Sequence, residues 1–188
     1  MTKAIPVKNE RSPFLTDIQE LRRRARDHME QGAVTNGYKA DRETVIKILN
    51  DVVATEIVCV LRYKRHYYMA SGIHAQSVAQ EFLKHAVEEQ GHADLAAERI
   101  VQLGGAPDLN PAGLTMRSHS QYIEGASLVE MIQENLVAER IAVESYGAII
   151  RYLGTDDPTT RVMIETIMAK EEEHAEDMKT LLESIGKK

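Results

Sequence analysis

Two short strings in this chain pair a carboxylate with an imidazole at helical spacing: Glu89-Gln90-Gly91-His92 and Glu171-Glu172-Glu173-His174. Three residues apart on an α-helix, the two side chains stand about 60° apart on one face, close enough to hold one metal ion together. A single such pair arises readily by chance in a chain rich in Glu and His, so the chemistry rests on what lies upstream. Each pair is preceded by one Glu set in an otherwise apolar stripe: Glu56 lies 33 residues before Glu89, and Glu139 lies 32 before Glu171. In each half a Tyr follows that Glu by seven residues, Tyr63 and Tyr146. Seven residues is two helical turns, so each Tyr shares its Glu's face about 10 Å along the helix. Glu56, Tyr63, Glu89 and His92 thus recur as Glu139, Tyr146, Glu171 and His174, at offsets of 83, 83, 82 and 82.

Packed together, two such halves bring four carboxylates and two imidazoles to the middle of one helical bundle. Four buried negative charges repel strongly without cations, and two divalent ions balance them. An oxygen-rich set with two imidazoles and no thiolate suits Fe or Mn better than tetrahedral structural Zn. The competing reading is a buried hydrogen-bonded network that serves folding specificity alone, but too few basic residues share these faces to satisfy it. Glu172 and Glu173 read as a solvated face. His85, one turn before Glu89 on the same face, reads as a packed or hydrogen-bonded core histidine rather than a ligand.

These residues require four long helices to position them. The first is expected from near Asp41 to about Ala70, with Val45, Leu49, Val52, Val60, Tyr63 and Tyr67 as its stripe and Glu56 in the gap. The second is expected from roughly His74 to Leu103, closed by Gly104-Gly105-Ala106-Pro107. Its face of Val78, Phe82, His85, Glu89, His92, Ala96, Ile100 and Leu103 steps by three and four. Residues 104–126, with Pro107, Pro111 and several Gly, form a long crossover with room for a short helix, so the third helix begins at the far end of the bundle. Ser127 and Glu130 mark its start as a capping box, and Leu153-Gly154 its end. Leu128, Ile132, Leu136, Glu139, Val143, Tyr146 and Ile150 are its stripe. The fourth opens with Asp157 as cap and Pro158 at the first helical position. Ile164, Ile167, Glu171, His174, Met178, Leu181 and Ile185 face inward, and Gly186-Lys187-Lys188 ends the chain.

Ahead of this bundle, residues 1–42 carry nine Lys/Arg against six Asp/Glu, a net +3, which leaves −9 on the remainder. Leu15, Ile18, Leu21, Ala25 and Met29 step by three and four around Arg22-Arg23-Arg24-Ala25-Arg26. The spacing predicts an amphipathic helix with Thr16 and Gln19 as capping box and Gly32 as stop. It serves either as an extra helix with solvated arginines or as an arm for DNA phosphates or a partner subunit. The organisation expected is a 1–41 extension and a four-helix di-metal bundle over 42–188.

Composition agrees with an all-α chain. Hydrophobic residues make up 43 %, yet aromatics only 5 %, with no Trp and two Phe in 188 residues, the usage of a helical bundle rather than a sandwich or barrel. The net charge of −6 argues against a generic nucleic-acid binder and suits a protein that handles cations. No apolar run approaches the ~20 residues of a membrane span, and the first residues lack a signal peptide's apolar core. Cys59 is the single cysteine, so no intrachain disulfide is expected. A cytoplasmic address and no membrane partner follow as expectations.

At its six registered positions, over roughly residues 42–186, the chain resembles the ferritin-like superfamily, in its bacterioferritin and Dps-like branch. Ala54-Thr55-Glu56-Ile57 through Tyr63, Glu89-Gln90-Gly91-His92-Ala93-Asp94 and Glu171-Glu172-Glu173-His174 carry the likeness. It implies a ferritin-like antiparallel four-helix bundle with the long crossover between its second and third helices. It further implies two Fe ions per chain, with Mn as the other metal that fits. Glu56 and His92 would be terminal ligands of one, Glu139 and His174 of the other, and Glu89 and Glu171 would bridge. Tyr63 matches a tyrosine kept beside such centres as a hydrogen-bond or electron donor, and Tyr146 is its pseudo-symmetric mate. The implied activity is a ferroxidase that oxidises Fe(II) with peroxide or oxygen and stores or detoxifies iron in a cage. The alternatives are a non-storage oxidoreductase with the same ligands (a rubrerythrin-like peroxidase, manganese catalase or di-iron hydroxylase) or a DNA-protecting Dps-type protein. No rubredoxin-type Cys cluster supports the first of these.

Two departures refine the resemblance. The haem-ligating Met of bacterioferritins would follow Glu89, where this chain has Gln90, so no haem is expected. Bacterioferritins add a short fifth helix in a shell of twenty-four subunits; here the chain ends at Lys188, which favours a twelve-subunit homo-oligomer. Ordinary Dps sites lie between subunits, whereas this ligand set is complete within one chain.

Overall fold

The computed structural model describes residues 17–73 and 75–185. Leu15 and Thr16 of the first expected helix, His74 at the expected start of the second, and Gly186-Lys187-Lys188 lie outside the described residues. Two compact units divide after Gly37.

In the first unit, helix α1 covers Ile18–Arg24 only. Its cap is Asp17, whose Oδ1 accepts the Gln19 amide at 2.8 Å. The sequence pattern carried the helix on to Met29. The backbone instead turns at His28, which takes a left-handed conformation (φ 53°), before a 3-10 turn at Met29–Gln31 closed by Gly32 at φ 57°. Neither element buries a residue: Ile18 and Met29 are 58 % and 72 % exposed. An apolar stripe this exposed contributes little, and short helices depend on packing.

The second unit is the bundle. Helix α2 (Arg42–Met69) starts at Asp41, whose Oδ1 accepts the amides of Glu43 and Thr44 at 3.2 and 3.4 Å. A short turn through Gly72, at φ 110°, leads to α3 (Ala75–Gln102), so the two form a hairpin. The end of α3 satisfies its carbonyls through Gly104 N–H to Val101 O and Gly105 N–H to Ile100 O, both 2.9 Å, with Gly104 at φ 80°. Gly105 is tightly placed: a Cβ there would lie 2.8 Å from Ile46 Cγ2 on α2.

The crossover returns along α2 through a 3-10 turn (Pro111–Gly113) and a one-turn helix α4, Leu114–Arg117. Side chains of α2 pin it throughout. Asn50 Oδ1 accepts Asp108 N–H at 2.7 Å, and Thr55 Oγ1 accepts His119 N–H at 2.9 Å. Arg62, fully buried, donates to Ser120 Oγ and Gln121 O, both at 2.9 Å.

Helix α5 (Leu128–Leu153) is capped by Ser127, whose Oγ accepts Glu130 N–H at 3.2 Å; Glu130 reaches back to Ala126 N–H at 2.7 Å. A tight turn with Gly154 at φ 49° leads to α6 (Pro158–Ile185), making the second hairpin. Asp157 caps α6 through Thr160 N–H at 2.9 Å and also receives buried Arg99 from α3 at 3.0 Å and Tyr38 at 3.0 Å. The core joins both hairpins: Tyr63, Val78, Phe82 and Ala86 pack with Met131, Ile132 and Met178. All four inward stripes are buried or half-buried as their spacing predicts, and the architecture is the expected four-helix bundle.

Candidate metal centre

Glu56 projects from the middle of α2, Glu89 and His92 from α3, Glu139 from α5, and Glu171 and His174 from α6. Each occupies a stripe position between apolar neighbours, so the packing that buries Val52, Val60, Ala86, Ala96, Ile132, Ile167 and Met178 carries it inward. All six are buried; His92 is the least so at 8 % and His174 is at 0 %.

The structure brings these six together as two groups of four: Glu56, Glu89, His92 and Glu171, and Glu89, Glu139, Glu171 and His174. Within each group one donor atom per residue lies within 4.8 Å of the others, and Glu89 and Glu171 belong to both. His92 Nδ1 is 2.8 Å from Glu171 Oε1, 3.1 Å from Glu89 Oε2 and 3.8 Å from Glu56 Oε2. His174 Nδ1 is 3.4 Å from Glu89 Oε1, 3.5 Å from Glu171 Oε2 and 3.9 Å from Glu139 Oε2. Among these atoms, Glu89 Oε1, both Glu171 oxygens and His174 Nδ1 are buried without a properly directed hydrogen bond. The close His92–Glu171 approach is therefore an ion-pair distance without hydrogen-bond direction. Buried polar atoms are costly when unpaired, and four of them converging in one place fit a pair of divalent cations.

Burial and crowding set the electrostatics. Burial first, then the neighbouring Glu89 carboxylate, push the Glu56 carboxyl up to about 8. Burial and the Glu56 charge push Glu171 up to about 7. Burial would also raise Glu139, but the adjacent His174 ring, the Glu171 carboxyl and the Tyr63 hydroxyl outweigh it and hold Glu139 down at about 2. Burial alone would lower both histidines; their carboxylate neighbours win, taking His92 up to about 12 and His174 higher than its usual range. Without metal, protons take the place of cations, as four crowded carboxylates require.

The tyrosines act across the two halves. Tyr63 on α2 donates to Glu139 on α5, and Tyr146 on α5 donates to Glu56 on α2. The sequence placed each Tyr on the face of its own Glu, and only packing reveals that each serves the other's. His85 is a buried, hydrogen-bonded histidine, as its context suggested: Nδ1 contacts Tyr63 Oη at 3.1 Å and Nε2 contacts Asp177 Oδ2 at 3.3 Å. Its ring stacks on that of His174, with centroids 3.9 Å apart. Sequence reasoning missed Glu88, whose Oε2 is 2.8 Å from His174 Nε2, and Arg62, whose Nε bonds Asn135 Oδ1 at 2.9 Å. Glu88 adjoins Glu89 in the E-x-x-H string, but nothing in the spacing separates a solvated Glu from one that turns inward.

Comparison with known proteins bears on the family and the fold. The family model described as Ferritin-like domain matches residues 46–187. A bacterioferritin of Desulfovibrio desulfuricans is 26 % identical over 152 residues, covering 80 % of this chain and 79 % of the relative. A bacterioferritin of Mycobacterium avium is 28 % identical over 144 residues, 76 % and 86 % of the two chains. Among solved structures, the bacterioferritin-related dodecameric thioferritin of Bacteroides fragilis superposes with a TM-score of 0.75 at 31 % identity, covering 78 % of this chain and 89 % of that one. A Dps protein from Bacillus brevis, at 23 % identity and TM-score 0.71 over 75 % and 96 % of the two chains, shares the fold.

Proposed function

The chain belongs to the ferritin-like family of iron-storage proteins, in its bacterioferritin and Dps-like branch, and on that premise we propose that it is a ferroxidase with an intrasubunit di-iron centre. The observation that carries this reading is the pair of four-donor groups sharing Glu89 and Glu171. Glu56 and His92 would hold one ion, Glu139 and His174 the other, with Glu89 and Glu171 bridging. A carboxylate-rich set with two imidazoles also accepts Mn, and Fe is the family's cargo. Bound iron would supply the redox couple: two Fe(II) would give two electrons to one hydrogen peroxide, which with two protons becomes two waters, or to one O2, which with two protons becomes hydrogen peroxide.

The protein's own contribution is positional. The helices pre-assemble the carboxylates that offset the metal charge, so little reorganises when an ion arrives. Tyr63 and Tyr146 fix the two lone glutamates by donating to one oxygen of each, leaving the other oxygen for metal. Glu88 on Nε2 leaves Nδ1 of His174 as the ligating nitrogen. Gln90 is exposed and its amide donates to Asp94 at 3.0 Å, an arrangement that offers no thioether to a haem. Assembly into a twelve-subunit cage is the storage form proposed, by likeness to the dodecameric relative.

The test is Fe(II) oxidation followed with oxygen and with peroxide. Wild type is expected to exceed the buffer rate, and Glu89→Ala or Glu171→Ala to lose most of that excess. A wild-type rate equal to buffer, or variants as fast as wild type, would sink the proposal. A small oligomer retaining no more than two metals per chain would favour the non-storage oxidoreductase.

A further inference from the structure

The polar rows on α3 and α6 continue past the six ligands. One turn before Glu89 on α3, His85 is fully buried, and a further turn back Glu81 stands half-buried on the same face. On α6, Asp177 follows His174 by three residues and is also half-buried. The 82-residue offset that relates the two halves carries Glu81, His85 and Asp177 onto Met163, Ile167 and Leu95. The repeat therefore does not account for these three: polar groups stand where the other half has apolar ones.

Glu81, His85 and Asp177 each offer a ligand atom within 4.8 Å of the others, in a group that shares no member with the two four-donor groups of the centre. His85 Nε2 lies 3.3 Å from Glu81 Oε1 and 3.3 Å from Asp177 Oδ2. The hydrogens available set the character of these contacts. Tyr63 gives its one hydroxyl hydrogen to Glu139, so at its 3.1 Å contact with His85 the oxygen accepts and Nδ1 carries the hydrogen. A neutral imidazole has a single N–H, which leaves Nε2 as a bare lone pair facing two carboxylate oxygens. Three acceptors that converge without a hydrogen between them repel one another unless a cation stands among them. A cation already reaches the two oxygens: Lys84 Nζ is 2.8 Å from Glu81 Oε1 and 3.6 Å from Asp177 Oδ2. Lys84 is exposed and its stem is flexible, so it can yield that place.

We infer that Glu81, His85 and Asp177 form a separate metal site, on the solvent side of His85, for a divalent transition ion. One imidazole nitrogen and two carboxylate oxygens, with no thiolate, suit Zn(II), Mn(II) or Fe(II), and three protein donors leave the other positions to water. Lys84 is the internal competitor: its ammonium holds the two carboxylates until an ion displaces it. An ion on Nε2 fixes the Nδ1–H tautomer of His85, which keeps the Tyr63 hydrogen on Glu139. Occupancy of this site thus acts on the di-metal centre without adding a ligand to it, and the site uses none of that centre's six residues.

The probe is Zn(II), with the full chain. Crystals soaked in Zn(II) and measured on both sides of the zinc absorption edge should show an anomalous peak bonded to Glu81, His85 Nε2 and Asp177. By equilibrium dialysis, the double variant Glu81→Gln with Asp177→Asn, two half-exposed changes that keep side-chain shape, should bind one zinc fewer per chain than wild type. Lys84→Ala should tighten that same zinc by up to about fivefold, the worth of an exposed ion pair. No peak at this position, or a double variant that binds as much zinc as wild type, would overturn the site. Zinc at Glu56, Glu89, His92, Glu139, Glu171 and His174 but not here would remove this site and leave the di-metal reading standing. Zinc here and none at those six would do the reverse.

Discussion

Among individual residues, the six at the centre were legible because they break apolar stripes in register; their protonation was not, because it depends on crowding that only packing creates. Glu56 and Glu171 have raised values, about 8 and about 7 against an ordinary 4.5. Their contribution to stability is complete below 4.5 and is lost as pH rises through about 7 to 8. His92, taken to about 12, acts in the same direction: full below 6.5, eroding as pH rises toward 12. Glu139, lowered to about 2, contributes above 4.5 and loses its contribution as pH falls through about 2. Metal-free protein should therefore melt at lower temperature at about pH 8.5 than at about pH 5.5. Added divalent metal should shrink or reverse that difference, because the ion replaces the protons. Thermal unfolding with chelator and with metal checks this; a metal-free melting point that rises over the same interval would contradict the assignment. Arg62 shows the limit of pattern reading. It is 1 % exposed while its neighbour Leu61 is 50 % exposed, because the crossover supplies carbonyl and hydroxyl acceptors that no local sequence feature announces.

Helices were readable in proportion to their punctuation. Asp157-Pro158, Ser127 with Glu130, and Gly104 mark ends by satisfying backbone groups locally, and the structure uses each as a cap or stop. The first helix was overextended because periodicity persists across His28, where the backbone leaves the helical region. The crossover was legible as a length but not as a path, since its anchors are side chains of α2 more than 50 residues away. Gly105 belongs to this scale, as the point where the α3 terminus meets Ile46 of α2. Gly105→Ala would place a Cβ at 2.8 Å from Ile46 Cγ2 and 3.0 Å from Ile100 Cγ2, so those side chains or the helices that carry them must shift. The expected cost is about 1–3 kcal/mol, measured by denaturant unfolding of the metal-free protein. Ile46→Val in the same background should recover part of it by removing the δ-methyl contact, also at 3.0 Å.

For the molecule as a whole, charge is divided unevenly, with +3 on residues 1–42 and −9 on the remainder, and Arg22, Arg23 and Arg26 are exposed. If that segment contacts DNA phosphates, a duplex should shift on a gel at low salt with the full chain and stop shifting when residues 1–42 are deleted, with binding falling steeply as salt rises. A shift that survives the deletion, or none with the full chain, would exclude the arm. No described helix is long and apolar enough to cross a membrane. The crosswise tyrosines carry a last implication, which concerns the order in which the chain acquires its capacities. Tyr63 and Glu139 are 76 residues apart, and Tyr146 and Glu56 are 90 apart; each four-donor group likewise draws on both hairpins. Hairpins close on local contacts, whereas joining residues so distant must wait until the intervening chain has folded back. A chain emerging from synthesis thus presents no complete four-donor group until its two halves have docked.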